Sequence, residues 1–224
     1  MSMHFIFDMD GTLFQTEKIL ELALQDTFDQ LRSLDLWDTE TPIDLYREIM
    51  GVPLPIVWES LLPNHSIEVR QKSNEFFHDK LITNINLGKG ALYPHVEETF
   101  NYIKSLNGSI YIASNGQTEY LESIVRYYNL DNWVTETFSI QQIHTQDKAD
   151  LVKSIIKKYN ITTGAVIGDR LSDINAAKQN GLLSIGCKFD YSQEDELNQA
   201  DNVIDNFLDL KALINLLNQC ANKA

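Results

Sequence analysis

Three short apolar runs each stop at a residue with a side-chain oxygen. They are "HFIF" before Asp8, "SIYIA" before Ser114 and "GAVIG" before Asp169. Each is rich in β-branched or aromatic residues, too short for a helix and without strict alternation. Strands of a parallel sheet covered on both faces read this way. Two weaker runs, "LLSIGC" and "DNVI", follow. Helical patterns lie between the runs: "PHVEETFNYIKSLNG", with Val96, Phe100 and Ile103 on one face and a stop at Asn107-Gly108, then "QTEYLESIVRYYNL", "KADLVKSIIKKYN" and "LSDINAAKQNG". Strand and helix in alternation imply right-handed crossovers and an α/β fold with a doubly wound, Rossmann-like parallel sheet.

One interval breaks the rhythm. Residues 15 to about 85 carry only helical patterns. "TEKILELALQDTFDQLRSL" spaces Leu20, Leu24, Phe28 and Leu31 as a helix does, and "PIDLYREIM" and "SIEVRQKSNEFFHDKLI" continue it around the proline-rich "GVPLPIVWESLLPN". This stretch reads as an all-helical domain, 15–85, inserted into a discontinuous core of 1–14 and 86–224. The return, "NINLGKGALYP", has the glycines and proline of a hinge.

The net charge of −14 argues against non-specific binding to nucleic acid or to an anionic membrane. An anionic substrate would have to be held by local positive charge. Two cysteines, Cys187 and Cys220, provide neither zinc spacing nor a disulfide framework. The first strand follows Met1 closely, leaving no room for a signal peptide, and no apolar stretch is long enough for a bilayer. The expectation is a cytoplasmic protein.

In an open parallel sheet, ligands bind beyond the carboxyl ends of the strands. Those ends carry Asp8, Ser114 with Asn115, and Asp169. Asp10 follows the first strand, Asp173 follows the third, and Lys148 opens the helix that precedes it. Singly, each has a plain structural use as a turn residue, a helix cap, a first-turn acid or a surface lysine. Together they fall on one face of the fold. Crowded carboxylates are costly without a cation among them. An oxygen cluster without His or Cys suits Mg²⁺, which in turn suits phosphate. A carboxylate held there can act as a nucleophile, while Lys148, the Ser114 hydroxyl and backbone N–H groups hold phosphate oxygens.

These residues resemble the haloacid dehalogenase superfamily. "DMDGTLF" is similar to its first motif, "IASNG" to its second, Lys148 to its third and "VIGDRLSD" to its fourth. The resemblance spans the chain, including a helical cap after the first motif. "YREIMGVPL" and "LYPHVEETFNYIKSL" look most like the phosphoglycolate-phosphatase-like branch. The resemblance implies that Asp8 attacks phosphorus and Asp10 protonates the leaving oxygen and then activates water. It implies that Asp8, the Asp10 backbone carbonyl and Asp169 hold Mg²⁺, and that Ser114, Asn115 and Lys148 bind the phosphoryl group. Thr12 and Asp173 support the site, Asp173 by orienting Lys148 or by reaching the metal through water. Departures from the pattern are Gln15 where many relatives have Asp, His95 where they often have Gly, and "CKFDY" in place of a Gly-rich stretch.

The implied activity is Mg²⁺-dependent hydrolysis of a small phosphorylated metabolite. Dehalogenases and phosphonate hydrolases of the superfamily lack an acid at the position of Asp10, whereas an alkoxide leaving group needs a proton. A phosphomutase of the same fold, similar to β-phosphoglucomutase, is the nearest alternative. A receiver-like phospho-aspartate module is more distant, because receivers place the phosphorylated Asp on a later strand and lack a large cap. Arg47, Lys18, Lys72 and Lys80 are the cationic candidates for reading substrate within the cap, with a solvated helix face as the competing fate.

Overall fold

The computed structural model describes residues 3–49, 54–190 and 192–221. Residues 50–53 of "YREIMGVPL", Tyr191 of "CKFDY" and the Cys220 side chain lie outside the described residues. The chain divides into two compact units. One is Met1–Gln15 with Ala91–Ala224, and the other is Thr16–Gly90.

The discontinuous unit is an α/β sandwich. Its strands are β1 (His4–Phe7), β2 (Ser109–Ser114), β3 (Val134–Ser139), β4 (Gly164–Gly168), β5 (Leu183–Cys187) and β6 (Asn202–Ile204). They form one parallel sheet in the order β3-β2-β1-β4-β5-β6. The chain winds outward from β1 to β3, then crosses back to lay β4 on the other side of β1. The crevice of such a sheet therefore opens between the carboxyl ends of β1 and β4.

Successive strand residues turn to opposite faces. On one face Ile6, Tyr111, Ala113 and Val166 form a core with Leu151, Val152, Ile155, Ala176 and Ala177. On the other, Phe7 meets Phe100 and Phe207 at ring-centroid distances of 5.1 and 6.3 Å. Both faces are dry, so the strands read as continuous apolar runs.

The edge strand β3 is the one strand without a matching run. Its "VTETFS" has three polar residues in a row, and over its first four positions it is half-buried or exposed. Lacking a neighbour on one side, it is half solvated and loses the apolar signature of a central strand.

The described residues of the unit Thr16–Gly90 form four helices: α1 (Glu17–Ser33), α2 (Ile43–Glu48), α3 (Leu54–Leu61) and α4 (Ile67–Asn86). The Ser66 hydroxyl accepts the Val69 N–H at the start of α4, a side-chain N-cap. Aromatic packing holds the unit together. Trp58 lies 6.4 Å from Phe28 and 5.7 Å from Phe77, and Tyr46 lies 6.4 Å from Phe77. The buried indole N–H of Trp58 donates to Asn74 at 2.9 Å. On α1 the buried stripe runs through Ile19, Ala23, Leu24, Phe28 and Leu31, while Leu20 is only half-buried.

Where the chain leaves and re-enters the α/β unit, a short ribbon pins both segments. Gln15 N–H donates to Ala91 O at 2.9 Å and Tyr93 N–H to Leu13 O at 3.0 Å. The Gln15 side chain adds a bond to Leu92 O at 2.6 Å. Just beyond, His95 holds a left-handed backbone, φ 67°. That conformation favours glycine, which accounts for the glycine expected there by resemblance.

Candidate active site

The remaining helices of the α/β unit are α5 (Val96–Ser105), α6 (Thr118–Tyr127), α7 (Lys148–Tyr159), α8 (Leu171–Gln179), α9 (Glu194–Leu197) and α10 (Phe207–Ala221). Two of them, α7 and α8, present side chains at the β1–β4 crevice. Asp8 follows β1 directly, and its backbone N–H donates to Ile167 O at 2.8 Å. Asp169 follows β4. Asp173 sits in the first turn of α8, where its Oδ2 accepts the Arg170 N–H at 3.1 Å and closes the helix start. Lys148 is the first residue of α7, behind an Asp147 side chain that accepts the Ala149 N–H at 2.9 Å.

These four side chains converge. Lys148 Nζ lies 2.5 Å from Asp8 Oδ1 and 2.5 Å from Asp173 Oδ1, with the lysine side chain only 4% exposed. Asp8, Asp169 and Asp173 each offer a carboxylate oxygen within 4.8 Å of the others, and all three are buried. The Thr12 hydroxyl donates to Asp169 Oδ1 at 3.1 Å.

Two glycines allow this crowding. Gly11 adopts φ +73°, and a Cβ there would fall 2.5 Å from Asp169 Oδ2. A Cβ on Gly168 would fall 2.1 Å from Asp173 Cγ. No larger residue fits either position without displacing a carboxylate.

Burial raises the pKa of Asp8 well above the carboxylate range. Lys148 works against that shift, and repulsion from Asp173, Asp169 and Asp10 adds to it. Asp169 is pushed up to about 7, first by burial and then by Asp173, against the pull of Lys148 and the Thr12 hydrogen bond. Burial alone would lower the Lys148 pKa, but the charges of Asp173 and Asp8 keep it above its ordinary value.

Among the described residues, Lys148 is the only ion-pair partner of these acids, so one positive charge faces three carboxylates. Buried charge left uncompensated to this degree calls for a cation. The donors are hard oxygens with no His or Cys nitrogen or sulfur among them, which fits Mg²⁺. Asp8, Asp169 and Asp173 are the side chains that would hold it.

Ser114 ends β2, buried, and its Oγ accepts the Gly116 N–H at 2.9 Å. Asn115 beside it is exposed. The Asp10 carboxylate does not join the three-acid cluster. Its Oδ1 instead accepts a hydrogen bond from the Tyr120 hydroxyl at 2.5 Å. Tyr120 carries no motif, and only the need of a buried phenol for a partner could have flagged it. Also unread in the sequence is Glu196, which accepts from Leu171 N–H at 2.9 Å and from Arg170 Nε at 3.0 Å, anchoring the loop after β4.

Two of the four cationic candidates of the helical unit, Arg47 and Lys72, have surface uses. Arg47 pairs with Glu21 and Asp44. Lys72 lies over the Phe76 ring, 5.6 Å from its centroid. No described helix is long and apolar enough to cross a membrane.

A family model described as haloacid dehalogenase-like hydrolase matches residues 5–187. A phosphoglycolate phosphatase of Mannheimia succiniciproducens is 20% identical over 93% of this chain and 96% of its own. A 5'-nucleotidase of Pseudomonas aeruginosa is 21% identical over 86% and 85%. Among solved structures, CbbY from Rhodobacter sphaeroides in complex with phosphate superimposes with a TM-score of 0.76 at 19% identity, covering 92% of this chain and 95% of its own.

Proposed function

The chain belongs to the haloacid dehalogenase-like hydrolases, and from that premise we propose that it is a Mg²⁺-dependent phosphatase of a small phosphorylated metabolite, working through an aspartyl-phosphate. The observation that carries this reading is the buried cluster of Asp8, Asp169 and Asp173 around the single ammonium of Lys148 at the β1–β4 crevice. The relatives named phosphoglycolate phosphatase and 5'-nucleotidase support phosphate-ester chemistry.

The Asp8 carboxylate attacks phosphorus. An Asp8–phosphorus bond forms as the ester P–O bond breaks, and Asp10 gives its proton to the leaving oxygen. Water then attacks the same phosphorus and surrenders a proton to Asp10. The acyl-phosphate bond breaks, and inorganic phosphate and the Asp8 carboxylate are regenerated. Lys148 and Ser114 bind phosphoryl oxygens and hold the group in line with Asp8. Asp173 holds Lys148 from behind. Bound Mg²⁺ supplies positive charge against the phosphoryl oxygens and keeps the surrounding carboxylates ionised. Transfer of the phosphoryl group back to an organic acceptor, as in a phosphomutase, would use the same residues.

The test is phosphate release from a panel of small phosphate monoesters, with Mg²⁺ and after exhaustive treatment with EDTA. Release should require Mg²⁺, and Asp8→Asn, nearly isosteric but not nucleophilic, should lower kcat about 10⁴-fold, roughly 5 kcal/mol. Wild-type rates in EDTA would overturn the metal reading, and wild-type rates in Asp8→Asn would overturn the nucleophile. A phosphorylated isomer in place of free phosphate would identify a mutase.

A further inference from the structure

We propose that Tyr120 is a positioning residue for Asp10, a role that rests on the phosphatase reading above. A carboxylate three residues after the strand is free to rotate unless something stops it. Here one oxygen of Asp10 is engaged by the Tyr120 hydroxyl at 2.5 Å, a partner 110 residues away in sequence. The phenol donates to one oxygen, and one fixed oxygen fixes the plane of the Asp10 carboxyl group and leaves the other oxygen to carry the proton.

Tyr120 is itself held. It lies in the first turn of α6, is 5% exposed, and its backbone oxygen accepts the Ser123 hydroxyl at 2.6 Å. Its ring is seated on the turn that carries Ser114. A Cβ built on Gly116 would fall 3.1 Å from Tyr120 Cδ1 and 3.2 Å from Ser114 Oγ. The absent side chain at Gly116 lets the ring approach the backbone that positions Ser114. One tyrosine therefore touches both the turn that holds the phosphoryl-binding hydroxyl and the acid that serves the leaving group. A catalytic group misplaced by about an ångström can cost about 10²-fold in rate, so the distance between these two elements is the quantity Tyr120 fixes.

The experiment compares wild type, Tyr120→Phe, Asp10→Asn and the double variant on substituted phenyl phosphates, from 2,4-dinitrophenyl to phenyl phosphate, with Mg²⁺. Removing one oxygen while keeping the ring preserves the packing on Gly116, and a thermal melt checks that the fold is retained. The expected result for Tyr120→Phe is a fall in kcat/KM, which reports the step that expels the phenol and not the later attack of water, of roughly 10- to 100-fold on phenyl phosphate, whose leaving group needs a proton. The fall in kcat/KM should be under about threefold on the dinitrophenyl ester, whose leaving group does not. The double variant should match Asp10→Asn alone, because a positioning residue has nothing left to position. An equal loss on all leaving groups, no loss on any, or additive losses in the double variant would overturn the role. If Asp10→Asn itself shows no leaving-group dependence, or wild type turns over no ester, the phosphatase reading falls and Tyr120's role falls with it. The role alone fails if Asp10→Asn behaves as expected and Tyr120→Phe does not.

Discussion

Two cations in this molecule approach carboxylates at nearly the same distance and do different physical work. Lys148 Nζ lies 2.5 Å from Asp8 and from Asp173, with the lysine side chain 4% exposed. Arg47 Nε lies 2.6 Å from Glu21 and Arg47 Nη1 lies 3.2 Å from Asp44, with the arginine side chain 55% exposed. Water screens the second set and almost none reaches the first. An exposed pair adds little to stability. A buried pair is expensive to assemble and more expensive to break, because the partner left behind is a buried charge with nothing to answer it. In the α/β unit that cost is concentrated at the crevice of the sheet. In the helical unit the described ion pairs lie at the surface, and aromatic packing of Phe28, Trp58 and Phe77 holds the fold instead. Ion-pair distance alone does not separate a functional charge from a decorative one; burial does.

The largest expected effect comes from breaking the buried set. Lys148→Met keeps a chain of similar length and removes the ammonium, leaving Asp8 and Asp173 buried without it. Stability should fall by about 3–5 kcal/mol, read as a lower urea midpoint at unchanged slope. Adding Asp173→Asn to that variant should restore part of the loss, since one of the stranded charges is gone. A Lys148→Met protein within about 0.5 kcal/mol of wild type would mean that the acids shed their charge at no cost, and the contrast between the two sites would collapse.

A smaller change tests whether the crevice is committed sterically as well as electrostatically. The Cβ of Gly168→Ala would fall 2.1 Å from Asp173 Cγ. Either Asp173 leaves Lys148 or the end of β4 shifts between its neighbours β1 and β5. Overpacking of this kind costs about 1–3 kcal/mol. The two responses separate in activity: loss of Asp173's hold on Lys148 should also lower turnover of an aryl phosphate. A Gly168→Ala protein with the wild-type melt and wild-type turnover would show a site looser than the packing implies.

The sequence carried the central strands because burial on both faces writes a continuous apolar run, as in "HFIF" and "GAVIG". It did not carry β3, whose edge position leaves alternating Thr and Glu half solvated. The places of Asp8, Asp169, Asp173 and Lys148 were legible because strand ends and helix starts at a parallel sheet's carboxyl edge converge by topology alone. Their mutual distances were not, since these depend on Gly11 and Gly168 having no side chain to intervene. Gln15 read as a departure from pattern, and its use, a bond to Leu92 O, depends on a ribbon joining residues 77 apart. Tyr120 was illegible for the same reason: α6 presents a buried face at helical spacing, and nothing in that spacing says which buried residue will find a carboxylate from β1's loop.

The smallest expected effect belongs to Arg47. The sequence offers it as a cation that could read a phosphorylated substrate, while in the structure its guanidinium is engaged by two acids. Glu21 accepts from Nε at 2.6 Å and from Nη2 at 2.8 Å, and Asp44 accepts from Nη1 at 3.2 Å. That engagement holds the Glu21 carboxyl below its usual range. All three groups are more than one third exposed, so solvent competes for every bond and salt weakens what remains. Arg47→Ala should therefore leave the thermal midpoint unmoved at moderate ionic strength, with at most a slight fall at low salt that disappears as salt is added. KM for small phosphate esters should also stay unchanged, because a guanidinium already shared between two carboxylates has little charge to offer a third anion. A severalfold rise in KM for one ester of the panel and not for others would show that substrate draws Arg47 away from Glu21, and would move this surface pair to the functional side of the comparison.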